Sequence, residues 1–337
     1  MSGAAERDAA TSSTAAVDAV VRAGGPRLAA LLDRTEARLV ELAAEHGATL
    51  ARHATATIAA GGKRLRPLLV FLAAGEGADE AAQARLVRAA VAVELIHSAS
   101  LVHDDVLDAA ALRRGAPTVV AAAGRTMATA TGDLLFSRAF AELARGGELE
   151  DVRALSAAAS ALAAGELMQR ADAFDAGVAL ERYVLRCELK TGSLFEAACR
   201  LGAQGAGLPG DHADALARFG RRIGLAFQLL DDVLDVSGPA SRTGKARGTD
   251  LLDGTVTLPL ILARERDREL ARLELRSLRP DDAERVCDRI AATGALAAAK
   301  ERALAVVADA RADLPPLPPA QRQALELVAE GVVERYA

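Results

Sequence analysis

The chain has 337 residues, 51% hydrophobic and 26% charged, with a net charge of −5. That is enough apolar material for a large core, and the negative balance excludes a general nucleic-acid binder. Three scattered cysteines, Cys187, Cys199 and Cys287, have neither metal-ligand spacing nor the density of a disulfide framework, which fits a reducing cytosol.

Aromatic residues make up 3% of the chain and tryptophan is absent, while alanine and leucine dominate; this composition favours helix. Residues 1–25, rich in Ala, Ser and Thr, read as a disordered tail without the basic and apolar regions of a signal peptide. Residues 26–337 read as one domain. From Pro26 the apolar spacing is helical (Leu28, Leu31, Leu32, Leu39, Leu42). GGKRLRP at 61–67 interrupts it, and a short apolar helix follows. A long apolar helix is predicted over 80–108, then a loop, RRGAPT, at 113–118. Further helices fit 118–145, 150–171, 178–203 and 211–237. The segment 237–257 is glycine-rich and irregular. Helices over 258–270, 281–292, 295–313 and 320–336 complete the chain. No convincing strand pattern and no uninterrupted membrane span is present, so the expectation is a single all-α domain.

The word DDVLD occurs twice, at 104–108 and at 231–235, each time after a strongly apolar run. On a helix its first and last aspartates share one face, one turn apart, while the middle one, Asp105 or Asp232, turns about 100° away. Carboxylates so placed repel one another unless a hard cation such as Mg²⁺ takes their oxygens. One copy alone reads more readily as a solvated helix end; two copies on apolar helices point to clusters facing each other across a cavity.

Basic groups lie near both clusters in sequence. Lys63, Arg64 and Arg66 stand at a glycine turn leading into a helix N-terminus, which favours anions. Arg113 and Arg114 follow Asp108 by five and six residues, and His97 precedes Asp104 by two helical turns. Lys190 and Thr191 sit inside an otherwise apolar segment, Gln228 lies three residues before Asp231, and Lys245 is in the glycine-rich loop. Each has a plainer reading: a basic surface turn, a core histidine, a snorkelling or solvated lysine. Together they describe acidic metal clusters ringed by Lys and Arg above an apolar hole, a diphosphate site.

In order, the motifs GGKRLRP, ELIHSASLVHDDVLD, LRRGAPT, TGDLLFSRAF, GELMQ, ELKTGSLFEAACRLGA, FQLLDDVLD and GKARGTDLLDGTVTLPLI resemble the polyprenyl synthetase family, the trans-isoprenyl diphosphate synthases. The resemblance runs from about residue 30 to the C-terminus. It implies a bundle of long helices around a deep central apolar cavity, a homodimer, and a cytoplasmic, magnesium-dependent prenyltransferase. By similarity Asp104, Asp108, Asp231 and Asp235 hold three Mg²⁺ ions on an allylic diphosphate. Arg113, Lys190, Thr191, Gln228 and Lys245 resemble that diphosphate's contacts. Lys63, Arg66, His97 and Arg114 resemble the isopentenyl diphosphate site. Two departures stand out: Thr255 replaces a frequent lysine, and the terminal ERYA is less basic than in many relatives.

The implied reaction is head-to-tail elongation, with the product growing down the helix that carries Asp104. Ser100 and Ala99 lie about 6–8 Å below it and Ile96 about 12 Å below, at the helical rise. The first two are small, so the expected product is longer than farnesyl diphosphate, unless Phe136 or Phe140 from a neighbouring helix closes the hole sooner. Shorter, geranylgeranyl-type product, a terpene cyclase, a non-catalytic subunit of a heteromeric synthase and a metal-binding scaffold are the competing readings. Transient membrane contact for product release is also expected.

Overall fold

The computed structural model describes residues 19–45, 47–59, 64–113, 115–238 and 247–334. Helices α1 (Gly25–Ala44), α2 (Gly47–Ala59) and α3 (Leu65–Ala74) lead to the long helix α4 (Glu80–Leu107). A short ladder pairs β1 (Leu112–Arg113) with β2 (Ala116–Pro117), antiparallel, and Gly115 takes a φ of +77° in its turn. Helices α5 (Val119–Ala144), α6 (Leu149–Ala171) and α7 (Leu180–Cys187) follow. A π-helical turn (Glu188–Gly192) joins α7 directly to α8 (Ser193–Gly205). After α9 (Gly210–Ser237) come α10 (Thr249–Leu252), α11 (Leu258–Arg266), α12 (Arg268–Ala271), α13 (Pro280–Ala292), α14 (Ala295–Ala312) and α15 (Pro319–Glu334).

Helix α4 is the axis of the bundle. Asp79 caps it by accepting from the Ala82 N–H at 2.8 Å, with Glu80 on the favourable side of the dipole. Its 28 residues span about 42 Å. It is long and apolar enough to cross a membrane, yet 72% of its most apolar window is buried against other helices, which accounts for its composition. It packs along α5 and against α1, α3 and α8; α9 packs along α8 and α14. The two DDVLD helices, α4 and α9, thus lie on either side of α8.

Most expected helices stand within two residues of their predicted bounds. Three differences have physical reasons. The segment 178–203 is three helical pieces in continuous succession, with the π turn at its centre. The predicted helix 258–270 breaks at Asp267, whose extended backbone lets its carboxylate cap α12 through the N–H groups of Glu269 and Leu270, at 2.8 and 3.0 Å. Within the stretch read as a disordered tail, residues 1–18 lie outside the described residues, but residues 19–23 are helical because Val20, 2% exposed, packs into the core.

Candidate active site

The first aspartate cluster forms the last turn of α4. Asp105 faces inward, 5% exposed, and accepts from the Arg113 Nε at 2.9 Å and Nη2 at 2.8 Å. The ladder beginning at Leu112 brings Arg113 back to it. Burial pushes the Asp104 carboxyl up to about 6; Glu166 and Asp108 add to the shift, while Lys190 and Arg113 oppose it. Asp108 ends the helix and accepts from the Arg170 Nη2 at 2.6 Å.

Helix α6 contributes Glu166, Gln169 and Arg170. The Arg170 Nε donates to Glu166 Oε1 at 2.7 Å, and the other oxygen of Glu166 pairs with the Lys190 ammonium. Lys190 also donates to Gln169 Oε1 at 3.3 Å. Half-buried Glu166 nonetheless stays below the usual carboxylate range: desolvation opposes this, and the Lys190 and Arg170 cations outweigh it. Lys190 is likewise held above its ordinary value against desolvation, by Asp104 and Glu166. The close approach of α6 to the π turn requires Gly165, because a Cβ there would lie 2.5 Å from the Lys190 backbone nitrogen.

The π turn carries Lys190 and Thr191 to opposite sides of the site. Lys190 meets the α4 and α6 acids, whereas the Thr191 hydroxyl donates to Gln228 Oε1 on α9 at 2.8 Å. Gln228 Nε2 donates to Asp232 Oδ1 at 2.8 Å, and the buried Tyr183 hydroxyl donates to Asp232 Oδ2 at 2.5 Å. Burial, with repulsion from Asp250 and Asp231, raises the Asp232 carboxyl well above its ordinary range despite both donors. Asp231 is exposed, one turn before Asp235. Asp235 accepts from the Gly248 N–H through its backbone (3.0 Å) and from the Asp250 N–H through its carboxylate (3.3 Å). Two adjacent residues therefore connect the two copies of DDVLD.

Arg66 lies in the first turn of α3, its guanidinium 4.5 Å over the Phe195 ring. Its buried Nε finds no hydrogen-bond partner among the described residues, and burial pushes its pKa down to about 10. Neighbouring Arg64 is committed to structure: in left-handed conformation (φ 48°) it grips Glu36, Glu94 and the Ile58 carbonyl. His97 is half-buried on α4. Below Asp104, Ile96 and Ala99 are 0% exposed, and Ser100 turns its hydroxyl onto its own helix, donating to the His97 carbonyl at 2.8 Å. Phe136 stacks against His103, ring centroids 6.1 Å apart, and Phe140 packs on the core. Lys63, Arg114 and Lys245 lie outside the described residues.

The structure brings Asp104, Asp108, Arg113 and Lys190 to one place, and Thr191 and Gln228 to the second cluster. Sequence reasoning missed the contacts of Glu166, Gln169, Arg170 and Tyr183. The i, i+3, i+4 spacing of the first three, on one face of α6, was the available signal. Among the described residues no three acidic, imidazole or thiol side chains form a ready-made metal cage. The carboxylates are instead interleaved with cations, an arrangement suited to a polyanion that brings its own metal ions.

Fold and site together define a helical protein in which two aspartate-rich helices stand beside Lys, Arg, Thr and Gln side chains. A model of the polyprenyl synthetase family matches residues 48–292, and the chain belongs to that family. It is 43% identical over 209 residues to "heptaprenyl diphosphate synthase component 2" of Geobacillus stearothermophilus, covering 62% of this chain and 65% of that relative. It is 36% identical over 324 residues to the nonaprenyl diphosphate synthase of Mycobacterium tuberculosis, covering 94% of each. The crystal structure of a decaprenyl diphosphate synthase from Rhodobacter capsulatus superposes with a TM-score of 0.86 at 32% identity, covering 95% of this chain and 99% of that one.

Proposed function

We propose that the protein is a magnesium-dependent prenyltransferase. It condenses isopentenyl diphosphate head to tail with an allylic diphosphate and extends the product beyond farnesyl diphosphate. The observation that carries this reading is the π turn, whose Lys190 reaches the first aspartate cluster while Thr191 reaches the second through Gln228. The hepta-, nona- and decaprenyl names of the relatives support the product class.

The donor set fits magnesium. Asp104, Asp108, Asp231 and Asp235 offer only hard carboxylate oxygens, and Mg²⁺ is commonly held by one or two of these plus phosphate oxygens and water. Three ions are the number the reading assigns. When bound, the ions neutralise charge on the allylic diphosphate as it leaves. Lys190 and Arg113 supply fixed positive charge beside the same oxygens, in place before the carbon–oxygen bond breaks. Thr191 and Gln228 set the diphosphate's position, and Lys245 is assigned to the same group. Lys63, Arg66, His97 and Arg114 hold isopentenyl diphosphate; the unpartnered Arg66 Nε supports this. The double bond of isopentenyl diphosphate attacks the allylic cation, and the new cation loses a proton to the departing diphosphate. The reading assigns Ile96, Ala99 and Ser100 to the wall of the apolar cavity that would receive the growing chain and keep water from the cation.

The test is mass spectrometry of products from labelled isopentenyl diphosphate, MgCl₂ and several allylic primers. Failure to consume isopentenyl diphosphate sinks the reading, and turnover of allylic diphosphate alone indicates a cyclase. A homodimer is part of the proposal: exposed small residues on α5 and α6, with Leu167 71% exposed beside them, support an interface there. The relative named "component 2" favours a second reading, a subunit that needs a partner. Light scattering, with turnover by the purified chain alone, separates the two. The reading also assigns the protein to the cytoplasm, touching a membrane as its apolar product leaves.

A further inference from the structure

Arg170 has no part in the reaction above, yet it holds an oxygen of Asp108. An alternating series of charges runs Asp108, Arg170, Glu166, Lys190, with Asp104 next to Lys190 in the electrostatics. Five groups thus carry a net charge of −1, and Arg113 offsets Asp105. For a bare divalent cation this is a weak site, because most of the attraction of three carboxylates is cancelled by two cations within hydrogen-bond reach. A metal ion bound to Asp108 also places its positive charge against a guanidinium anchored on the same carboxylate. A diphosphate changes the balance: its oxygens offer the ions ligands and offer Arg170 a replacement partner. The Arg170 side chain is 35% exposed, so it has room to turn away from Asp108 while Glu166 keeps hold of its Nε.

We propose that Arg170 is an internal countercharge that makes metal binding conditional on diphosphate. It lowers the affinity of the first aspartate cluster for Mg²⁺ alone and thereby strengthens the coupling between Mg²⁺ and diphosphate. By reciprocity, whatever factor diphosphate adds to Mg²⁺ affinity, Mg²⁺ adds to diphosphate affinity. The inference rests on the site reading above and assigns a positioning role that the reading does not contain.

The experiment uses the full-length protein, with MgCl₂ and inorganic diphosphate as probes, read by isothermal calorimetry and by thermal melting. In Arg170→Gln, Mg²⁺ alone should bind roughly tenfold tighter, the order expected for one elementary charge acting on a divalent ion through partly solvated surroundings. The coupling factor between Mg²⁺ and diphosphate should fall by a similar amount. Arg170→Lys, which keeps the charge, should stay within about twofold of wild type on both measures. If Arg170→Gln does not fold, Arg170→Met takes its place, with the melting curve in buffer alone as the control. Weaker or unchanged Mg²⁺ binding in the charge-removed variant overturns the proposal, the first outcome meaning that Arg170 merely orients Asp108. Failure of the wild type itself to bind diphosphate with Mg²⁺ overturns the site reading instead.

Discussion

Replacing Ala99 with phenylalanine tests the geometry of chain growth. Ala99 lies five residues before Asp104 on α4, about 7.5 Å along the helix, and Ile96 lies eight before it, about 12 Å. The difference, about 4.5 Å, is of the order of one five-carbon unit. A ring at Ala99 raises the floor from Ile96 and adds bulk beyond it, so the product should shorten by at least one unit. Because Ala99 is 0% exposed, overpacking should cost about 1–3 kcal/mol, a drop of a few degrees in Tm for a chain of this size. Ile96→Ala should act in the opposite direction and lengthen the product. The assay is mass spectrometry of products from labelled isopentenyl diphosphate, with thermal melting as the folding control. A folded Ala99→Phe protein with an unchanged product distribution refutes the reasoning.

Asp104, raised to about 6 by burial, should lose its proton as pH rises through that value, exposing a carboxylate to the metal. Mg²⁺-dependent diphosphate binding should therefore weaken below pH 6, and Asp104→Asn should remove that limb; calorimetry from pH 5 to 8 decides. For stability the sign is opposite: with its folded pKa above the unfolded one, Asp104 contributes most at low pH, and that contribution falls between about pH 4 and 6. Arg113→Met should destabilise the fold by about 3 kcal/mol, since it leaves the buried Asp105 unpaired. Adding Asp105→Asn should restore most of that loss in chemical denaturation, and a strictly additive double variant would show that the pair does not interact. Tyr183→Phe should cost about 1–2 kcal/mol through Asp232 and leave product length unchanged.

Much of this was legible in the sequence because helix periodicity and caps are local. Apolar content alone places a long helix over 80–108, and the repeated DDVLD marks the two helices of the site. The 100° offset of the middle aspartate was also legible, although its destination was not. Asp105 and Asp232 turn inward to partners supplied from elsewhere in the chain, Arg113 eight residues after the first and Tyr183 49 residues before the second. Arg170 reaches Asp108 across 62 residues, a pairing that no local pattern encodes. The π turn was invisible because its side chains keep helical composition; only the hydrogen-bond step changes.

That turn constrains how the sequence can vary. Excising one residue between Glu188 and Gly192 would restore an ordinary helix and change the faces on which the residues of the turn stand. Thr191 would then leave Gln228, and Lys190 would leave Glu166. Length changes should accumulate in the connection at 145–148 and be absent from this stretch, so its residue count is as much a part of the site as the side chains it displays.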